Sequence, residues 1–175
     1  MLYIHSLFAR ITYKKYRIEP SFFTNHAYFW GDVHVENLGK ERAYFLSPIA
    51  TADKLGLKYT NHSDATVTPI NPLFTVWTAV NRISRTGKVI GEKEKATAYQ
   101  GLKAITINAA YEFFDENLKG SLEVGKIADF VILDKNPLTA NPMEIKNILV
   151  METIKAGKSV FIRFPENEIV NKYWK

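Results

Sequence analysis

The order in which strand-like and helix-like segments follow one another constrains this chain more than any single residue does. Over the first 120 residues, short runs of strand composition alternate with stretches of helical spacing; from Ser121 onward the chain reads as strands joined by turns. Alternation of this kind implies a parallel sheet with right-handed crossovers, because two parallel strands need a long connection that packs back onto the sheet in one hand only. Periodicity does not choose between an open sheet and a closed barrel.

The individual signals are local. Residues 2–5 suggest a short strand, and residues 17–23 (RIEPSFF) an extended piece in which Pro20 keeps Glu19 out of the helical region. A loop is expected over 24–37. A helix is expected over 41–55, limited or kinked by Pro48 and stopped at Gly56, and a strand over 57–62 that runs straight into Ser63 and Asp64. Two prolines make 68–72 a loop. Apolar residues at Leu73, Val76, Trp77, Val80 and Ile83 then repeat at helical spacing. Further helical stretches are expected over 92–106 and 108–114, ending at Gly120. In the tail, 130–133, 148–154 and 159–164 read as strands, the last two joined by the turn Ala156, Gly157, Lys158.

With 175 residues and 46% hydrophobic content the chain can bury a core. Its net charge of +5 raises the question of a nucleic-acid partner, but the lysines are dispersed among glutamates, as on solvated helix faces, so no nucleic acid is expected. The absence of cysteine excludes disulfides, thiolate metal sites and a cysteine nucleophile, and suits the cytoplasm. No apolar run approaches the roughly 20 residues of a membrane helix, so no membrane partner is expected.

In parallel α/β architectures ligands gather beyond the C-terminal ends of the strands. The polar residues at such places are His5, His26, Asp32 and His34, and His62 to Asp64. Neutral imidazoles and a carboxylate are the ligand types a hydrolytic divalent metal takes, and His5, His26 and Asp64 supply that mixture. No local spacing certifies it: a histidine at a strand end is more often structural than a ligand, and Ser63-Asp64 also fits an ordinary turn or cap. The rings of Phe22, Phe23, Tyr28, Phe29 and Trp30 fit core or lid packing better than a substrate cage.

Three stretches carry a resemblance. HSDATVTPINPLFTVWTAVNR, ITINAAYEFFDENLKGSLEVGKIADFVILDKNPL and ILVMETIKAGKSVF resemble the closing segments of amidohydrolase family 3 of the amidohydrolase superfamily, the group of YtcJ-like proteins and N-substituted formamide deformylases, over nearly all of 20–161. The resemblance implies an α/β fold: the C-terminal half of a distorted TIM (β/α) barrel over 1–120, about strands five to eight, then strands of a small β-sandwich over 121–164 and a tail over 165–175. It implies a divalent metal, most simply zinc. Asp64 matches the metal-binding aspartate after the eighth strand that shuttles a proton, His26 the histidine after the sixth strand, and His5 the fifth-strand histidine. His62, Trp30 and Asp32 stand beside these positions as candidates for substrate contact.

The implied reaction is hydrolysis of a carbon–nitrogen bond in a small amide or formamide by metal-activated water. The family's first-strand His-x-His pair and its strand-four lysine or glutamate are absent, and residues 10–17 (RITYKKYR) read unlike the helix expected after strand five. The metal would therefore be held weakly by this chain alone. The alternative is an inactive truncated fragment, or one half of a split enzyme working with an N-terminal half on another chain; a homo-oligomer is a further expectation for the exposed edges of half a barrel.

Overall fold

A pair of parallel strands sets the frame. The computed structural model describes residues 12–164, so the expected strand at 2–5, His5 and the tail 165–175 lie outside the described residues. β1 (Ser21–Phe22) and β2 (Thr60–Asn61) run parallel, Ser21 opposite Thr60 and Phe22 opposite Asn61. Backbone bonds extend the pairing at both ends: Thr60 donates to the Pro20 carbonyl at 3.1 Å and His62 to the Phe22 carbonyl at 2.9 Å. Both strands are shorter than the extended runs that announce them. Among the described residues parallel pairing stops at these two strands, so the fold is mixed α/β with small sheets.

The crossover from β1 to β2 carries three helices. α1 (Asn25–Leu38), α2 (Lys40–Tyr44) and α3 (Ile49–Lys54) follow one another. The expectation of a loop over 24–37 is corrected by α1. Its Tyr28-Phe29-Trp30 run and Gly31 carry poor intrinsic helix preference, and packing overrides it: the rings of Tyr28 and Phe29 stand 5.2 and 6.0 Å from that of Phe74. Gly31 is buried where an added Cβ would lie 2.6 Å from Ile90 Cγ1, so glycine lets the helix approach that side chain. The single helix expected over 41–55 is two, parted at Ser47 and Pro48, where Ser47 takes a positive φ of 47°. Gly56 ends α3 at φ 67°, as expected.

α4 (Pro72–Asn81) forms where the apolar spacing placed it, with Asn71 as cap accepting from Phe74 N at 3.0 Å. The helix expected over 92–106 reduces to a 3-10 turn (Glu92–Glu94) and α5 (Ala98–Ile105). A capping box begins α5: Gln100 N donates to Thr97 Oγ1 at 3.2 Å and Thr97 N to Gln100 Oε1 at 2.7 Å. α6 (Ile107–Glu112) follows. Phe22, Ile49, Leu57, Tyr59, Ala79 and Ala104 form the core between these helices and the strand pair.

The tail folds into an antiparallel sheet, β3 (Phe130–Leu133), β4 (Val150–Lys155) and β5 (Lys158–Ile162), in that order. Ala156 and Gly157, with φ of 50° and 76°, make the expected tight turn between β4 and β5. The sheet is tied to the rest through the 3-10 turn Pro142–Asn147: Ile145 is fully buried against Val76 and Trp77, and Trp77 Nε1 donates to the Met143 carbonyl at 3.0 Å. No second sheet packs on it among the described residues, and Phe130, Val131 and Ile132 stay 37%, 49% and 46% exposed.

Candidate active site

The chain leaves β1 and β2 on the same side of the pair, so the segments that follow them meet. One carries Phe23 to His26 and the other His62 to Asp64. A buried polar network locks the two segments together. Thr24 N donates to Asn61 Oδ1 at 3.2 Å, and Asn61 Nδ2 returns a bond to Thr24 Oγ1 at 2.8 Å. Asn25 Nδ2 donates to Thr68 Oγ1 at 2.9 Å, and Thr68 Oγ1 donates to the Ser63 carbonyl. From α4, Thr78 Oγ1 donates to Asn25 Oδ1 at 2.8 Å. Thr24, Asn25, Asn61, Thr68 and Thr78 are buried, so each of these bonds satisfies a group that would otherwise be costly to desolvate.

His26 is boxed by rings. Phe23 stands 4.4 Å from it, Trp30 presents an edge at 4.9 Å, and His34 stacks at 5.3 Å with 20° between planes. His26 Nδ1 and His34 Nε2 are 3.2 Å apart, a hydrogen bond in which one ring donates and the other accepts. Burial holds His26 below the ordinary imidazole pKa; the neighbouring His34 and His62 lower it further, and Asp64 opposes them. Burial alone lowers His34. His26 is thus a neutral imidazole, the form a metal binds.

His26, His62 and Asp64 line one cleft of about 320 Å³, whose other wall includes Phe45, Leu46 and Ser47. His62 stacks on Phe23, 5.1 Å between centroids. Asp64 is exposed, starts the turn after β2 at φ 48°, a conformation aspartate tolerates better than most residues, and its carboxylate has no hydrogen bond or ion pair among the described residues. Two imidazoles and a carboxylate fit a divalent metal by type. Among the described residues, however, no three His, Asp or Glu side chains stand close enough together to hold one.

The remaining candidates are placed differently. Trp30 contacts His26 without lining the cleft. Asp32 turns to the 84–88 turn, where Thr86 Oγ1 lies 2.9 Å from Oδ1 and Lys88 Nζ 3.2 Å away; hydrogen bonds from Ser84, Thr86 and Lys88 hold its carboxyl below the usual range. The partnership of His34 with His26 was not foreseen. Its signal, His26, Trp30 and His34 at intervals of four, becomes legible once the segment is known to be helical.

The strand ends thus bring two imidazoles and a carboxylate to one cleft of a mixed α/β fold. The sequence pattern of the amidohydrolase family matches residues 10–161, and the chain belongs to that family, whose members generally use a divalent metal. It is 29% identical to the N-substituted formamide deformylase of Arthrobacter pascens over 132 residues, 75% of this chain and 24% of that protein. It is 27% identical to the putative amidohydrolase YtcJ of Bacillus subtilis (strain 168), over 73% of this chain and 25% of that protein. The chain thus spans about a quarter of the length of these relatives. In structure it is similar to an uncharacterized metal-dependent hydrolase from Pyrococcus horikoshii OT3, with TM-score 0.67, 24% identity, and coverage of 78% of this chain and 28% of that one. No helix among the described residues is long and apolar enough to cross a membrane.

Proposed function

We propose that this chain supplies part of the active site of a metal-dependent hydrolase cleaving a carbon–nitrogen bond in a small amide or formamide. The observation that carries this reading is the convergence of His26, His62 and Asp64 on one cleft beyond the ends of two parallel strands, in a chain of the amidohydrolase family. Residues 1–120 are read as part of a distorted barrel, and the 121–164 sheet as one layer of a small β-sandwich. His26, Asp64 and His5 would hold the metal, zinc by ligand type. Further ligands would come from the part of the fold that this chain does not span.

The metal supplies polarisation of the carbonyl and acidification of a water molecule. Asp64 does the proton work: a carboxylate oxygen takes a proton from the attacking water and delivers it to the leaving nitrogen, so that an amide and water give a carboxylic acid and an amine. Its freedom from ion pairs leaves it able to do both. His26, neutral and boxed by Phe23 and Trp30, presents a fixed ligand, and Phe23, His62 and Phe45 shape the place for a small substrate.

The test is metal analysis and turnover on a panel of N-substituted formamides and simple amides, using the purified protein. Asp64→Asn is expected to lower turnover by about 10²- to 10⁴-fold with the fold intact. Turnover unchanged in that variant, or metal-independent turnover, would defeat the proposal.

A further inference from the structure

The histidine pair on α1 is not explained by packing alone. His34 is outside the cleft lining, yet its Nε2 lies 3.2 Å from Nδ1 of His26, the candidate ligand, and the two ring planes are only 20° apart. A hydrogen bond between imidazole nitrogens needs one proton between them. It therefore couples the tautomers of the two rings: either His26 Nδ1–H donates or His34 Nε2–H does.

We infer that His34 is a positioning residue that locks His26 into one tautomer, leaving Nε2 as the nitrogen His26 offers to a metal. The inference rests on the metal-site reading given above. With Nδ1 committed to His34, Nε2 is the nitrogen of His26 left for coordination. A ring that coordinates through Nε2 carries its proton on Nδ1, so His26 Nδ1–H donates, and His34 must accept at an unprotonated Nε2 and keep its own proton on Nδ1. A protonated His34 would have no lone pair at Nε2 and would break the arrangement. Phe23 and Trp30 block rotation of the His26 ring from two sides, so orientation and tautomer are set together. Metal-bound histidines ordinarily use a carboxylate, a carbonyl or water for this purpose; here a second imidazole stands in that place.

The experiment uses the 175-residue chain labelled with ¹⁵N-histidine. Ring-nitrogen NMR of the metal-free protein, above the ordinary imidazole pKa, is expected to show a single tautomer for each of the two rings. In His34→Ala, His26 should become a mixture of tautomers; His34→Gln, whose side-chain oxygen can accept the same bond, should restore the single form. Zinc competition is the second arm: His34→Ala should weaken zinc binding about 10- to 100-fold and His34→Gln should recover most of it. Circular dichroism of the three proteins reports whether the fold is kept. An unchanged His26 tautomer in a folded His34→Ala protein overturns the inference. So does direct coordination of zinc by His34 Nε2 in the wild-type spectrum. A wild-type chain that takes up no zinc while the tautomer still depends on His34 would count against the metal-site reading and in favour of the lock.

Discussion

Thr78 Oγ1 on α4 donates to Asn25 Oδ1 at 2.8 Å and also stands 2.8 Å from Thr24 Oγ1, so one buried hydroxyl joins α4 to the residues that precede His26. Thr78→Val keeps the shape and removes the donor, leaving Asn25 Oδ1 buried without it. Urea unfolding should show a loss of about 1–3 kcal/mol, the usual cost of an unsatisfied buried polar group. Thr78→Ser, which keeps the hydroxyl, should lose clearly less; an equal loss would show that the methyl group, not the bond, is what matters.

The contact between Gly31 and Ile90 makes a second prediction. A Cβ on residue 31 would meet Ile90 Cγ1 at 2.6 Å, so Gly31→Ala overpacks the junction between α1 and the 82–91 turn. The expected loss is about 1–3 kcal/mol, against the small gain that alanine normally brings to a helix interior. Ile90→Ala opens the space. In the double variant the alanine at 31 should therefore cost much less than it does alone, a coupling read from a four-protein cycle in urea.

These two contacts also mark where sequence reading stopped. α4, the C-terminal strands and the turn at Ala156 and Gly157 were legible because each depends on its own residues: helical spacing in one case, β-branched runs and turn chemistry in the others. α1 was not. Its aromatics and Gly31 favour a helix only when Phe74, Trp77 and Ile90 stand against them, and those partners lie more than 40 residues away. The shortening of the 92–106 helix had a local cause, the Thr97 and Gln100 capping box, which was present in the sequence as T-x-x-Q.

The candidate site divides in the same way. His26, His62 and Asp64 stood at strand ends, and the structure brings them to one cleft. Asp32 stood in the same segment as His26 but faces Thr86 and Lys88, because its place on α1 turns it toward the 84–88 turn. Direction around a helix decides this, and direction could not be read from a segment taken for a loop.

The neutral histidines give a pH dependence. Burial lowers the folded pKa of both His26 and His34 below the ordinary value of 6.5, so near and below that pH the unfolded chain binds more protons than the native one. Stability then rises with pH through this window and falls as the pH drops beneath 6.5. The urea midpoint of the metal-free protein should fall on acidification across that value. The double variant His26→Asn, His34→Gln should show a shallower fall; an identical slope would locate the proton uptake elsewhere.

Arg82 holds the opposite wall of the cleft. Its side chain is fully buried, its Nε donates to the Ile90 carbonyl at 2.6 Å, NH2 to the Leu46 carbonyl at 2.6 Å, and NH1 to the Ser47 carbonyl at 3.0 Å. Ser47 Oγ in turn accepts from Phe23 N at 3.2 Å, so the guanidinium is joined through the 46–47 segment to the end of β1. Three separate carbonyls need a planar fork of donors, which lysine does not have. Arg82→Lys and Arg82→Met should each lose about 3 kcal/mol or more, because charge-assisted bonds are removed and buried carbonyls are left unpaired. Asp64→Asn, at an exposed carboxylate with no hydrogen bond or ion pair among the described residues, should leave the same unfolding curve nearly unmoved. An Arg82→Lys protein as stable as wild type would mean that the carbonyls find other donors, and that the wall does not depend on the guanidinium.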